Sequence, residues 1–140
     1  MALTFCAGVA VVQASALTAQ GPPVRSVWTG VYSEAQAARG GPMYAQYCGS
    51  CHGSTLEGGE MAPPLAGGAF NANWNGLTLG DILERIRITM PANSPGRLTR
   101  QQNVDVLAFM LSAGGFPQGQ ADLPLDTPVL KQIAFDASKP

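Results

Sequence analysis

Two thiols and one imidazole fall within five residues, Cys48-Gly49-Ser50-Cys51-His52, and His52 is the only histidine in the chain. On a helical turn, side chains three and four positions apart share a face. Cys48 and Cys51 can then add to neighbouring vinyl groups of one porphyrin while His52 reaches its iron. That order and spacing is the pattern of c-type haem attachment, and it implies one covalently held haem c. Other chemistries fit less well. Structural zinc needs four ligands, and the chain has no second Cys/His pair. A catalytic dithiol belongs to a βαβ context, and no alternating strand pattern surrounds this motif.

A single histidine rules out two imidazole ligands from one molecule, so methionine is the natural sixth partner. A thioether is a soft neutral donor that raises a haem potential relative to harder donors. Of the five methionines, Met1 is the start and Met43 lies on the helix leading to the motif. Met110 falls on an apolar helical face with Val104, Leu107 and Leu111. Two remain open on the residues alone. Met61 is near enough in sequence to reach the far haem face, at about 3.3 Å of chain per residue. Met90 closes a helix, because Pro91 disfavours helical geometry in the residue before it.

The elements that must position these groups read as helices. Ser33-Glu34-Ala35-Gln36 has capping-box spacing, and the alanines around it favour helix. Gly40-Gly41-Pro42 is expected to weaken or kink that helix. Residues 57–67 are too rich in Gly and Pro for regular structure. Thr78-Leu79-Gly80-Asp81 opens a second helix, in which Leu79, Ile82, Leu83 and Ile86 form one apolar face. Glu84, Arg85 and Arg87 are expected to face away from it. Thr99-Arg100-Gln101-Gln102 opens a last long helix, running to about Ser112 and stopping before Gly114-Gly115. Phe116-Pro117 and Pro124 imply an extended strap. Thr127-Pro128 then predicts a short helix to about Ile133, capped by Thr127. The expected fold class is all-α, with short helices wrapped around one haem.

Residues 39–53, RGGPMYAQYCGSCHG, resemble the opening of a class I cytochrome c domain. The resemblance implies a cytochrome c-like fold in which the last helix crosses closely at Gly40, with Tyr44 and Phe109 packed at the crossing. Pro63-Pro64-Leu65-Ala66-Gly67 is similar to the family's Pro-x-Leu-x-Gly loop. There the Pro63 carbonyl would accept a hydrogen bond from the His52 ring nitrogen that faces away from iron, and Leu65 would support the pocket. Met90-Pro91 followed by Pro95-Gly96-Arg97-Leu98 resembles the distal segment of cytochrome domains attached to, or serving, quinoprotein dehydrogenases. It implies that Met90 rather than Met61 is the axial ligand, with Pro91 and Leu98 as pocket support. Trp74 is expected either to donate to a haem propionate or to act as an apolar wall. The likeness runs from about residue 27 to 119.

The totals bound the rest. A chain of 140 residues holds one domain, and its 17 Gly and 11 Pro leave a modest core that a covalent haem would help to complete. Net charge is −1, and neither a basic run nor a basic patch interleaved with aromatics is present, which argues against nucleic acid. Residues 1–19 carry no charge and are mostly small or apolar, like a signal peptide. No Lys or Arg precedes that run, which suggests a true start further upstream. It is short for a membrane span of about 20 residues, so no integral span is expected. The expected layout is a signal peptide at 1–19, an extended lead-in at 20–32, a cytochrome c domain at 33–119, and a C-terminal strap with a short helix at 120–140. The expected function is a periplasmic one-electron carrier and not an enzyme. It would relay electrons from a dehydrogenase to an oxidase or another cytochrome. Arg85, Arg87, Arg97 and Arg100 form a candidate basic rim for such partners. The alternatives are a cytochrome subunit fixed in a larger dehydrogenase, and a five-coordinate haem enzyme or sensor.

Overall fold

The computed structural model describes residues 25–140. The segment read as a signal peptide, with Cys6, and the first part of the lead-in lie outside the described residues. Along the chain come β1 (Arg25–Ser26), a 3-10 turn (Val27–Thr29), α1 (Glu34–Tyr47), α2 (Gly49–His52), α3 (Gly67–Trp74), α4 (Leu79–Thr89), α5 (Arg100–Ala113), α6 (Thr127–Leu130) and β2 (Ile133–Ala134). The class is all-α. The strands are a two-residue parallel pair, Arg25 opposite Ile133 and Ser26 opposite Ala134. No helix among the described residues is long and apolar enough to cross a membrane.

Ser33 caps α1, its hydroxyl accepting from the Gln36 amide at 3.1 Å. The reciprocal half of the expected box is missing. The Gln36 side chain is buried and brackets Leu123, accepting from its N–H at 2.7 Å and donating to its carbonyl at 3.3 Å. A buried amide spends its hydrogen bonds where they also desolvate a backbone pair, and here that fastens the tail to α1. The helix also continues through Gly40-Gly41-Pro42. Pro42 removes one donor from the ladder on an exposed face, where the expected weakening does not interrupt the helix.

The central contact is α1 against α5. A Cβ on Gly40 would stand 1.9 Å from the Asp105 carbonyl oxygen and 2.9 Å from Phe109 Cβ. Only a residue without a side chain permits that approach. One turn on, the Tyr44 and Phe109 rings meet at 5.2 Å. Phe109 is only partly buried, whereas Val104, Leu107, Ala108 and Leu111 on the inner side of α5 are fully enclosed. Arg39 spans Asp105 with two 3.2 Å hydrogen bonds, so the buried carboxylate at the crossing has a cation and does not stand alone.

α4 and α5 begin on reciprocal capping boxes, Thr78 with Asp81 and Thr99 with Gln102, each satisfying two orphan donors. α4 stops at Thr89, with Met90 already extended. After α5, Gly115 takes the left-handed conformation (φ +81°) that ends helices.

The two ends of the described chain are structural parts of the domain. The lead-in, expected to be extended, holds a turn at Val27–Thr29, because the Ser26 hydroxyl accepts from the Trp28 amide. Val27 there is fully buried. At the other end α6 is shorter than expected, and Asp126, not Thr127, stands at its N-cap position, without a side-chain capping bond. The Thr127 hydroxyl instead donates to Glu84 on α4 and accepts from Arg100 on α5. Phe135 exchanges backbone hydrogen bonds with the loop before α4, donating to Leu77 and accepting from Gly76 at 2.8 and 2.9 Å.

Candidate haem-binding site

α2 is one turn long, and its residues close it locally. The Cys51 and His52 amides both donate to the Cys48 carbonyl, at 3.1 and 3.0 Å. The three side chains of the motif therefore come from one turn, and all three line a single mostly apolar cavity of about 670 Å³. A volume in this range suits a cofactor-sized ligand. Burial, and then the neighbouring Cys51 thiol, push the Cys48 thiol up to about 11, so the unattached thiol is protonated at neutral pH. Cys51 is exposed, at the side where the cavity opens.

His52 is buried, and its Nδ1 lies 2.8 Å from the Pro63 carbonyl oxygen. A prolyl carbonyl can only accept, so Nδ1 must carry the proton and Nε2 is left with its lone pair. The hydrogen bond thus sets both the tautomer and the ring plane of a residue suited to bind a metal. The loop that brings Pro63 there is tightly folded. Gly58 N–H donates to the His52 carbonyl at 2.8 Å and Leu65 N–H to Leu56 at 2.9 Å. Gly58 has φ +79°, and a Cβ on it would meet the Pro64 nitrogen at 2.6 Å. Tyr44 secures the same stretch, its hydroxyl donating to the Gly53 carbonyl at 2.6 Å. Burial, followed by the nearby Cys48 and Glu57 charges, pushes the Tyr44 phenol up to about 12, so it stays a donor across the physiological range.

Of the other residues singled out in the sequence, Met90, Pro91, Leu65 and Trp74 all line this cavity. Trp74 makes no side-chain hydrogen bond among the described residues, and its ring packs at 6.2 Å from Phe70. Leu98 is buried but does not line the cavity. Its carbonyl accepts instead from the Asn103 amide at 3.1 Å, which ties the end of the Met90 segment to α5. Met61 lines the cavity too, yet it is 91% exposed and belongs to the loop that holds His52.

Two features escaped the sequence reading. Arg85, expected to face away, lines the cavity. The signal was present, since Arg85 follows Ile82 by three positions and precedes Ile86 by one, so it shares their sector of the helix. The second is the back wall. Phe70 and Trp74 of α3 are supported from behind by Phe135, edge-on to Phe70 at 5.7 Å, and Phe135 in turn packs on Phe116 at 5.1 Å. No local pattern links residues that far apart in sequence.

The donor set fits a c-type haem. It comprises two thiols on one turn, an imidazole with its tautomer fixed, and a thioether on another segment, all on the walls of one largely apolar cavity. Comparison with curated proteins gives no match. Among solved structures the chain is similar to the sulfane dehydrogenase SoxCD from Paracoccus pantotrophus, with a TM-score of 0.51 and 24% identity. The match covers 71% of this chain and 52% of that one. This chain therefore spans about half the length of its solved counterpart, and the likeness is one of fold. Residues 35–110 match the family model described as cytochrome C oxidase, cbb3-type, subunit III. With the motif, the cavity and more than half of its length in agreement, the chain belongs to that family of c-type cytochrome domains.

Proposed function

We propose that this protein is a monohaem electron carrier in which Cys48 and Cys51 would hold the haem and His52 and Met90 would supply its two iron ligands. The observation that carries this reading is the His52–Pro63 hydrogen bond beside the cavity shared by both thiols and Met90. Bound there, the haem supplies one-electron chemistry whose potential depends on ligand identity, burial and hydrogen bonding. The chain's own contribution is positional. Pro63 holds His52 in one tautomer, and Leu65, Ile82, Ile86 and Val106 keep the surroundings apolar. With both iron ligands supplied by the chain, no position would remain for a substrate, which suits a carrier and not an enzyme. Met90 is favoured over Met61 because it ends α4 half-buried, whereas Met61 is almost fully exposed on the loop that grips His52.

The apolar run at residues 1–19 supports export, and a periplasmic carrier would take electrons from a dehydrogenase and pass them to an oxidase or another cytochrome. Purification from the native host separates a free carrier from a fixed dehydrogenase subunit, since only the latter elutes at constant stoichiometry with a larger enzyme.

The test of the site is direct. Protein matured in an export pathway is expected to retain haem after acid-acetone extraction and to give a pyridine haemochrome of the c type. Met90→Ala is expected to abolish the near-infrared thioether-to-iron band and turn the oxidised spectrum high-spin, while Met61→Ala leaves both unchanged. Extractable haem ends the reading, and the opposite pattern in the two variants reassigns the ligand.

A further inference from the structure

Beside the main cavity lies a second, smaller cleft of about 200 Å³, walled by Gln46, Tyr47 and Ser50 on one side and Pro91, Asn93 and Arg97 on the other. Four of these, Tyr47, Ser50, Pro91 and Asn93, also line the main cavity, so the cleft opens onto its mouth. Its polar groups are an amide, a phenol, a hydroxyl, a second amide and a guanidinium. All can donate, and no carboxylate lines either the cleft or the cavity.

Of the four arginines expected to form a rim, Arg85 and Arg97 have no carboxylate partner among the described residues; Arg85 lines the main cavity, and Arg97 alone lines the cleft. Arg87 and Arg100 are already engaged by Glu84. The Arg97 guanidinium sits over the Tyr47 ring at 5.3 Å from the centroid. Stacking on an aromatic face holds the fork in place while its N–H groups stay open to an acceptor. The side chains of Gln46 and Asn93 likewise make no hydrogen bond among the described residues. The lining of the adjoining cavity includes exposed apolar side chains, Met61 (91%) and Leu77 (43%). A free small anion leaves those in water. A protein face covers them, and an apolar centre with a charged edge is how such interfaces are built.

The geometry points to this cleft as the docking subsite for an acidic side chain, Asp or Glu, of a redox partner protein, received by Arg97 with Gln46, Ser50 and Asn93. It rests on the electron-transfer reading. The carboxylate fixes the partner's register beside the main cavity, whose lining includes the exposed Cys51. With a net charge of −1 the molecule as a whole has little long-range attraction for an acidic partner, so this subsite acts as a local contact.

The test uses the haem-loaded protein and an acidic flavodoxin as probe. One electron passes from its anionic flavin hydroquinone to the oxidised cytochrome, leaving the neutral semiquinone. Arg97→Gln is expected to lower the second-order rate constant roughly two- to fivefold at low ionic strength, the range for one exposed ion pair. The difference is expected to vanish in high salt. Arg87→Gln, whose cation is already paired, is expected to leave the rate unchanged. Equal rates for wild type and Arg97→Gln, or an equal loss in Arg87→Gln, overturn the proposal. Inorganic phosphate titrated onto wild type provides the other arm. Saturable NMR shifts confined to Gln46, Ser50 and Asn93 assign the cleft to a free anion and overturn the docking role. Because every rate is read on protein already shown to hold covalent haem, a negative result sinks the docking subsite alone.

Discussion

At Gly40 the distance between two helices is set by one missing methyl group. A side chain there would have to displace the α5 backbone at Asp105, since its Cβ would fall 1.9 Å from a carbonyl oxygen that belongs to the helix ladder. Gly40→Ala must therefore push α1 and α5 apart or strain both. Overpacking of this kind costs about 1–3 kcal/mol, and a Tm fall on the order of 10 °C is expected for a domain of this size. An unchanged thermal midpoint would show that α1 and α5 separate at this crossing without cost. At this scale the sequence was most informative where chemistry imposes strict spacing. Cys48, Cys51 and His52 stand at the separation that attachment of a porphyrin would require, and the Pro63 carbonyl lies 2.8 Å from His52 Nδ1. It was least informative where a residue type permits two readings. An arginine in an amphipathic helix is ordinarily solvated, and Arg85 is exposed, but it also lines the cavity, as only its position between Ile82 and Ile86 hinted.

Helix starts were legible because caps are local chemistry. Thr78 and Thr99 bond reciprocally to the residue three positions on. The start at Ser33 was equally legible, but the fate of Gln36 was not, because its partner Leu123 lies in the tail. The tail is the element whose role depends most on distant contacts. α6 and β2 pack on α4, while Phe135 backs α3 and the loop before α4 and is fully buried between Phe70 and Phe116. Phe135→Ala is expected to destabilise the protein by about 3–5 kcal/mol, as deletion of a core phenylalanine does. Val129→Ala, on the same tail but 43% exposed, should change stability by no more than about 0.5 kcal/mol. Urea denaturation of the two variants checks this. Equal midpoints would mean that the tail lies on the domain without bracing it.

Over the whole molecule, the charges fasten its ends more than they set its surface potential. Net charge near zero conceals two clusters that join elements remote in sequence. Arg39 links Asp105 on α5 with Asp122 in the tail, and Glu84 on α4 gathers Arg87, Arg100 and Thr127. Both clusters lower carboxylate pKa values. The Ser33 hydroxyl and then the Arg39 guanidinium hold Asp122 below its ordinary range. The Arg87 guanidinium, opposed by burial and helped by Thr127, does the same for Glu84. A carboxylate whose folded pKa is depressed stabilises the fold above its unfolded pKa. That stability is lost as pH falls through the folded value, because the unfolded chain then binds the proton more readily. Asp122 is largely exposed, so solvent screening keeps its share small, but the sign is fixed. Asp122→Asn is expected to be less stable than wild type at neutral pH and to lose less on acidification. Urea midpoints followed from neutral pH to about pH 3 should converge as Asp122 protonates in wild type. Parallel curves over that whole interval would mean that Asp122 titrates alike in the folded and unfolded chain, and that the Ser33–Asp122–Arg39 contact contributes nothing to holding the tail on α1.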